Sequence, residues 1–357
     1  MKTYIKFLTK LFLKSFFYIV FIFISLVIIL NLLTELDFFK DIAVSTFFPL
    51  FLSILNSPAV IYEMLPFVFL LSTQLFFINL LNNNEISIFK YSGLKNSKII
   101  SITIYVSFIL GIIIITLFYN FSSNLKNYYL ELKSVYSKDG KYLAVITKNG
   151  LWIKDKHIKK TFIINSSKIE KNLLIDNFIT EFDDQFNVIR NIKSEKIDIK
   201  HKEWIIFKPI IYSNNDKEFL DKINISTNFD YERIQTLFSN LSSLSLFELI
   251  ELRKNYIKLN YSTTELNIHL LKLVTYPLYL VLITVLSGII MLNIKKYESS
   301  TLKISIGLFV SVIIYYINNF FNILGNAEKI SLLASVFMPL LILMIVDILL
   351  IFKINDK

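Results

Sequence analysis

The chain has no cysteine, which excludes a disulfide, a thiolate nucleophile and any cysteine-based metal site. Arginine is scarce as well, confined to Arg190, Arg233 and Arg253. The formal net charge of +10 therefore rests on scattered lysines. They read as flanks of membrane segments, and no nucleic-acid partner is expected. The seven glycines stand at 93, 111, 140, 150, 288, 307 and 325. They are too dispersed for the G-x-x-x-x-G-K-[ST] loop that cradles nucleotide phosphates. His157, His201 and His269 are far apart and no H-E-x-x-H occurs, so the chain offers no zinc-hydrolase signature. The sequence calls for neither a metal nor any other cofactor, and the chain is not read as an enzyme.

What the chain has in quantity is apolar residues, 54% of its 357, against 18% charged. That balance points to an integral membrane protein. A bilayer core of about 30 Å needs about 20 apolar residues in a helix. Phe16–Leu33, Ala59–Leu81, Ile99–Tyr119, Leu270–Leu292, Ile304–Leu324 and Ser331–Phe352 qualify. The run Ile42–Leu55 is shorter and ends at Asn56-Ser57-Pro58. Because proline cannot donate to a helix ladder, this run is expected to be an amphipathic helix at the interface that leads into the second span. Lys2, Lys6, Lys10 and Lys14 precede the first span, but no small-residue cleavage site follows it, so it is kept as a span.

Lys90, Lys95 and Lys98 lie between spans two and three, Lys295, Lys296 and Lys303 between four and five, and Lys353 and Lys357 in the tail. With the N-terminal lysines they fall on one side of a six-span chain, which predicts that both termini are cytoplasmic. The long segment after span three is then external. It holds short runs such as "KYLAVITKNGLWIKD", "LLIDNFITEF", "FNVIRNI", "EKIDIK" and "WIIFKPIIY". Such runs predict an antiparallel sheet or sandwich. From Tyr231 the period turns helical. Ser245 with Glu248 forms a capping-box signature ahead of "LFELIELRKNY".

Two acids fall in spans, Asp347 in the sixth and Glu63 near the outer end of the second. They are a weak match to an intramembrane aspartyl pair, and Asp347 is expected to hydrogen-bond to a neighbouring helix. The stretch "NNNEISIFKYSGLKNSK" (82–98) separates spans two and three. Asn82 can cap a two-turn helix with Glu85 in its first turn, Ile86 and Phe89 on one face and Gly93 as its stop. It reads either as a solvated, membrane-hugging loop helix or as a knob that fits a cytoplasmic motor.

The run "NSPAVIYEMLPFVFLLSTQLFFINLLNNNEISIFKYSGLKNSKII" resembles the lipopolysaccharide-export permeases of the LptF/LptG (YjgP/YjgQ) family. The match lies at Tyr62, Glu63, Leu65, Pro66, Glu85 and Gly93 and in their spacing. "HLLKLVTYPL" (269–278) and "FMPLLIL" (337–343) resemble the family's entry to span four and its proline-bearing span six. "TELDFFKDI" and "YEMLP" lean to the LptG side. "YESSTLK" departs from the family's Gly- and Arg-bearing pattern, and 86–91 is less alanine-rich than usual.

The resemblance implies an α-helical multi-pass membrane protein, with six transmembrane helices in a three-plus-three arrangement and an inserted periplasmic all-β jellyroll-like domain. Its parts would be spans one to three at 1–120 with a coupling helix at 82–93, the jellyroll at 121–228, a helical return at 229–268 and spans four to six at 269–357. It implies a permease subunit in the cell inner membrane that extracts lipopolysaccharide and passes it to a periplasmic jellyroll bridge. An LptF-like permease would pair with it as a heterodimer, and a cytoplasmic ABC ATPase dimer would hydrolyse ATP. Glu85, Ile86, Phe89 and Gly93 would couple to that ATPase. Lys40 and Lys272 would meet lipid phosphates near the outer face. A permease for another lipid or for lipoprotein release, and a membrane-anchored scaffold without transport, remain the other readings.

Overall fold

The computed structural model describes residues 3–136, 151–157, 160–170, 172–213, 216–231, 234, 240–258, 262–293 and 299–355. Contacts divide the chain into two units, Met1–Leu125 with Thr264–Lys357, and Lys126–Thr263.

The first unit is helical. Its elements are α1 (Thr3–Phe38), α2 (Phe48–Asn82), α3 (Glu85–Tyr91), α4 (Asn96–Ile113), α7 (Thr264–Asn293), α8 (Ser300–Asn326) and α9 (Leu332–Asn355). A π-helical turn at Ile114–Phe118 joins α4 to α5 (Tyr119–Ser134). Six of these helical segments, α4 and α5 counting as one, are long and apolar enough to cross a membrane.

The expected break at Pro58 is absent. Phe48–Leu55 forms the first two turns of α2, which runs through Pro58 and Pro66 as one helix. A proline costs one ladder bond, and an apolar surrounding makes helix the only backbone state that keeps the others. Neighbouring hydroxyls add local bonds: Ser53 Oγ donates to the Pro49 carbonyl at 2.7 Å and Ser57 Oγ to that of Ser53 at 2.6 Å. Asn31 of α1 donates to Ser57 Oγ at 3.3 Å. Of the helix expected at Ile42–Leu55, residues 48–55 are helical and continuous with the second candidate span, while residues 42–47 form a non-helical turn.

Two apolar layers fill the bundle. One gathers Leu8 and Phe12 of α1, Phe76 and Leu80 of α2, Ile86 of α3, Ile99 of α4 and Ile289 of α7, with Ile304 of α8 and Ile351 of α9 against them. The start of α1, all of α3 and the end of α9 thus share one end of the bundle. The other layer joins Phe16, Leu65, Phe69, Ile114, Ile283 and Leu340. Buried hydroxyls and an amide tie the helices: Ser107 to Thr284 at 3.0 Å, Ser287 to the Leu70 carbonyl at 2.8 Å, and Gln74 Nε2 to the Lys303 carbonyl at 2.9 Å. Such bonds matter most where no water competes. A Cβ at Gly111 would lie 2.8 Å from Pro277 Cα, so α4 and α7 touch backbone to backbone there.

The second unit is a β domain with a helical return. Its strands are β1 (Leu151–His157), β2 (Lys160–Glu170), β3 (Leu173–Phe182), β4 (Val188–Asp198), β5 (Glu203–Phe207), β6 (Ile210–Ser213), β7 (Asp216–Phe219) and β8 (Lys222–Ser226). All pair antiparallel, in the order β1-β2-β3-β4-β5-β8, with β6 between β4 and β7. "FNVIRNI" and "EKIDIK" therefore join in one strand. "WIIFKPIIY" splits into β5 and β6, because Pro209 has no N–H and Lys208 sits at φ 45°. The break leaves the register intact: Phe207 faces Lys222 and Ile210 faces Phe219. Lys208 N–H and Leu220 N–H bridge across it to Asp221 and Pro209. β5 with β6 and β7 with β8 thus form one hairpin, kinked once.

The inner face carries Ile153, Ile164, Ile179, Ile192, Ile206 and Trp204, all buried. Their alternation along the strands is the half-buried pattern expected of a sheet. The segment after β8 folds onto this sheet. Asn228 donates twice to the buried Asp155 of β1, at 2.7 and 3.0 Å, and Trp204 Nε1 donates to the Phe229 carbonyl at 2.7 Å. Then α6 (Leu246–Lys258) begins with the expected capping box. Ser245 N–H donates to Glu248 Oε2 at 2.7 Å and Glu248 N–H to Ser245 Oγ at 3.4 Å. The strand expected before residue 151 and most of the helix expected from Tyr231 lie outside the described residues.

Candidate functional site

Two places in the helical unit hold most of the residues singled out from the sequence. The first is α3. Asn82 does not cap it: Asn82 closes α2, and Asn84 precedes α3 in the left-handed region at φ 56° without a side-chain cap. The C-terminus is a Schellman turn. Gly93, at φ 80°, donates to the Lys90 carbonyl at 2.9 Å, and Leu94 N–H donates to that of Phe89 at 2.9 Å. A left-handed residue in that place favours glycine.

The face carrying Ile86 and Phe89 turns inward. Ile86 is 7% exposed and belongs to the apolar layer with Leu8 and Phe12. Phe89 packs there with its ring 6.2 Å from that of Phe7. Ile88 and Tyr91 point outward instead, 58% and 92% exposed. Glu85 Oε2 is shielded from solvent and has no hydrogen-bond partner among the described residues. A carboxylate oxygen left so is costly unless something completes it.

The second place is a cavity of about 160 Å³ among α2, α7, α8 and α9. Its lining includes Tyr62, His269, Lys272, Tyr276, Tyr279 and Asn318. On α7, positions 269, 272, 276 and 279 recur at helical spacing and so share a face. Tyr276 Oη donates to the Tyr62 carbonyl at 2.8 Å, and the two rings stack at 5.0 Å. Tyr119 Oη pairs with His269 Nε2 at 3.0 Å. No described carboxylate forms an ion pair with Lys272. This tyrosine cluster went unread in the sequence, although the spacing of His269, Lys272, Tyr276 and Tyr279 was a signal for it.

Lys40 is exposed in the turn after α1 and is not among the described residues lining this cavity. The structure therefore does not bring Lys40 and Lys272 to one pocket. Asp347 is buried on α9, and neither of its carboxylate oxygens has a hydrogen-bond partner among the described residues. The expected interhelical bond is missing, and so is an aspartyl pair with Glu63, which is exposed. No group of three His, Asp or Glu side chains capable of holding a metal occurs among the described residues.

The sequence model of the family described as "Lipopolysaccharide export system permease LptF/LptG" matches residues 6–353. The chain belongs to that family. No curated protein matches it. An LptF/LptG member is a transport permease, and six apolar helices around an inserted antiparallel β domain make this one a multi-pass membrane protein.

Proposed function

We propose that this LptF/LptG permease is the LptG-like subunit of an ABC transporter in the inner membrane. Paired with an LptF-like permease and driven by a cytoplasmic ATPase dimer, it extracts lipopolysaccharide and passes it to a periplasmic bridge of related β domains. The observation that carries this reading is the family match across nearly the whole chain, 6–353. The "TELDFFKDI" and "YEMLP" runs support the LptG side.

Each part has a task that its physics suits. The chain has no phosphate-cradling loop, so the motor is a separate subunit. In this reading α3 is the contact with that motor. Ile86 and Phe89 seat it on α1, so that a push on α3 reaches the spans. Glu85 takes a basic partner for its uncompleted oxygen, and Gly93 lets the chain turn back into α4. Lys40 and Lys272 supply cations for lipid phosphates, which bind more strongly beside a low-dielectric wall than in bulk water. The inner face of the β domain, lined by isoleucines, offers acyl chains an apolar passage.

The test is a photo-crosslinker at Ile153, an inner-face position, in the complex reconstituted with its partner permease, ATPase and bridge. ATP should produce a crosslink to lipopolysaccharide. Crosslinks to protein alone, with and without ATP, would make the chain a scaffold.

A further inference from the structure

Lys272, the ninth residue of α7, lines a cavity together with three tyrosines. No described carboxylate ion-pairs with it. A cation withdrawn from water without a counter-ion is expensive, so the site calls for an anion. Three features narrow the anion. The cavity is a half-open cleft among helices of one subunit and measures about 160 Å³. That volume accommodates a phosphate and a small substituent, and the open side leaves a path for the chains attached to it. It presents one lysine, whereas a headgroup with two phosphates would call for two cations, and Lys40 is elsewhere. Tyr62, Tyr276 and Tyr279 gather about Lys272, as aromatic side chains do at the level of lipid headgroups.

We infer that this cavity seats the single phosphate of an anionic glycerophospholipid, a site separate from the path of the cargo. The lipid phosphate neutralises Lys272. The hydroxyls of a headgroup such as that of phosphatidylglycerol reach the tyrosine hydroxyls and Asn318, and the acyl chains leave towards the bilayer. A zwitterionic lipid is a poorer occupant, because its own cation would leave the charge of Lys272 uncancelled. The inference keeps the proposed role of Lys272 as a lipid-phosphate ligand but takes it from the cargo path, which leaves Lys40 to meet the exported lipid and leaves that lipid's identity untouched.

The experiment is native mass spectrometry and thermal melting of the full chain in detergent, titrated with phosphatidylglycerol, phosphatidylcholine, lipopolysaccharide or inorganic phosphate. Phosphatidylglycerol should be retained one per chain and raise the melting temperature, with phosphatidylcholine at least about tenfold weaker. Lys272→Gln should weaken phosphatidylglycerol binding by about tenfold or more, the scale of losing one partner of a buried charge pair. Lys272→Arg should keep it. Equal binding of the two phospholipids, or unchanged binding by Lys272→Gln, would overturn the assignment. So would one-for-one displacement by lipopolysaccharide, or free phosphate binding as tightly as the lipid. If Lys272→Gln does not fold, Tyr279→Phe, which takes away the hydroxyl of a lining residue, must still lower phosphatidylglycerol affinity. Transport by the reconstituted complex is read separately. A lost seat with transport intact sinks this inference alone, and a seat present without transport sinks only the export reading.

Discussion

Glu181 is fully buried on the inner face of β3, with Lys160 Nζ and Arg190 Nε each 2.6 Å from one of its oxygens. Burial alone would raise its pKa, but the hydrogen bonds and charges of Lys160 and Arg190 outweigh that and hold the carboxyl below its ordinary value. A native pKa below the unfolded value, about 4.3, adds stability that is whole above that pH. It is lost as the pH falls through the lower native value. Trp152 and Trp204 are the only tryptophans and both belong to the β domain, so tryptophan fluorescence isolates its unfolding from that of the spans. Wild-type protein should lose β-domain stability steeply on acidification below about pH 4. Glu181→Gln should cost about 1–2 kcal/mol at neutral pH, since the half-exposed Lys160 is partly screened. It should also flatten the acid slope. An unchanged slope in Glu181→Gln would move the acid sensitivity to another group. None of this was legible in the sequence, because the three residues meet only through the β2-β3-β4 register.

Among the elements, α3 shows where pattern reading stops. Length, the acid in the first turn and Gly93 as its stop were all visible in "NNNEISIFKYSGL", because they depend on neighbours in the chain. Which face is hidden was not, because that depends on where α1 lies. Ile86 and Phe89 had the spacing of an exposed anchor, but they complete the permease's own apolar layer. Likewise "LLIDNFITEF" coincides with β3, a strand whose signal is local. Pro58 suggested a break that a helix in apolar surroundings does not make. The two faces of α3 can be told apart by experiment. Ile86→Ala removes a buried side chain and should cost about 2–5 kcal/mol, visible as a lower melting temperature of the purified chain. Tyr91→Ala touches nothing inside and should leave melting within about 0.5 kcal/mol. If α3 docks a motor, Tyr91→Ala should still lower lipopolysaccharide-stimulated ATPase activity of the assembled complex. Full activity in both Tyr91→Ala and Ile88→Ala would remove the outer face of α3 from the coupling contact.

At the scale of the whole molecule, six spans and an inserted antiparallel β domain were readable from the sequence because each is announced by its own apolar period. The tyrosine cavity was not, because α2, α7, α8 and α9 each supply a part of it. Orientation joins the two kinds of reading. The shared apolar layer puts the start of α1, α3 and the end of α9 at one end of the bundle. The sequence puts Lys6, Lys10, Lys14, Lys90, Lys95 and Lys98 in or near that end. At the other end, Thr264 of α7 donates to Glu328 in the α8–α9 turn at 2.8 Å. Lysines near span ends are retained on the cytoplasmic side, so the α3 end should face the cytoplasm and the β domain the periplasm. The chain lacks cysteine, so single replacements report without background. Lys95, Lys202 and Lys329 are exposed, and each can be changed to cysteine and treated with a membrane-impermeant thiol reagent in spheroplasts. Lys202→Cys and Lys329→Cys should label in intact cells, and Lys95→Cys only after lysis. The reverse pattern would invert the permease in its membrane and leave α3 on the side where no ATP is found. Labelling of all three in intact cells would break the six-span count itself, since Lys95 and Lys329 are separated by three spans and must lie on opposite faces.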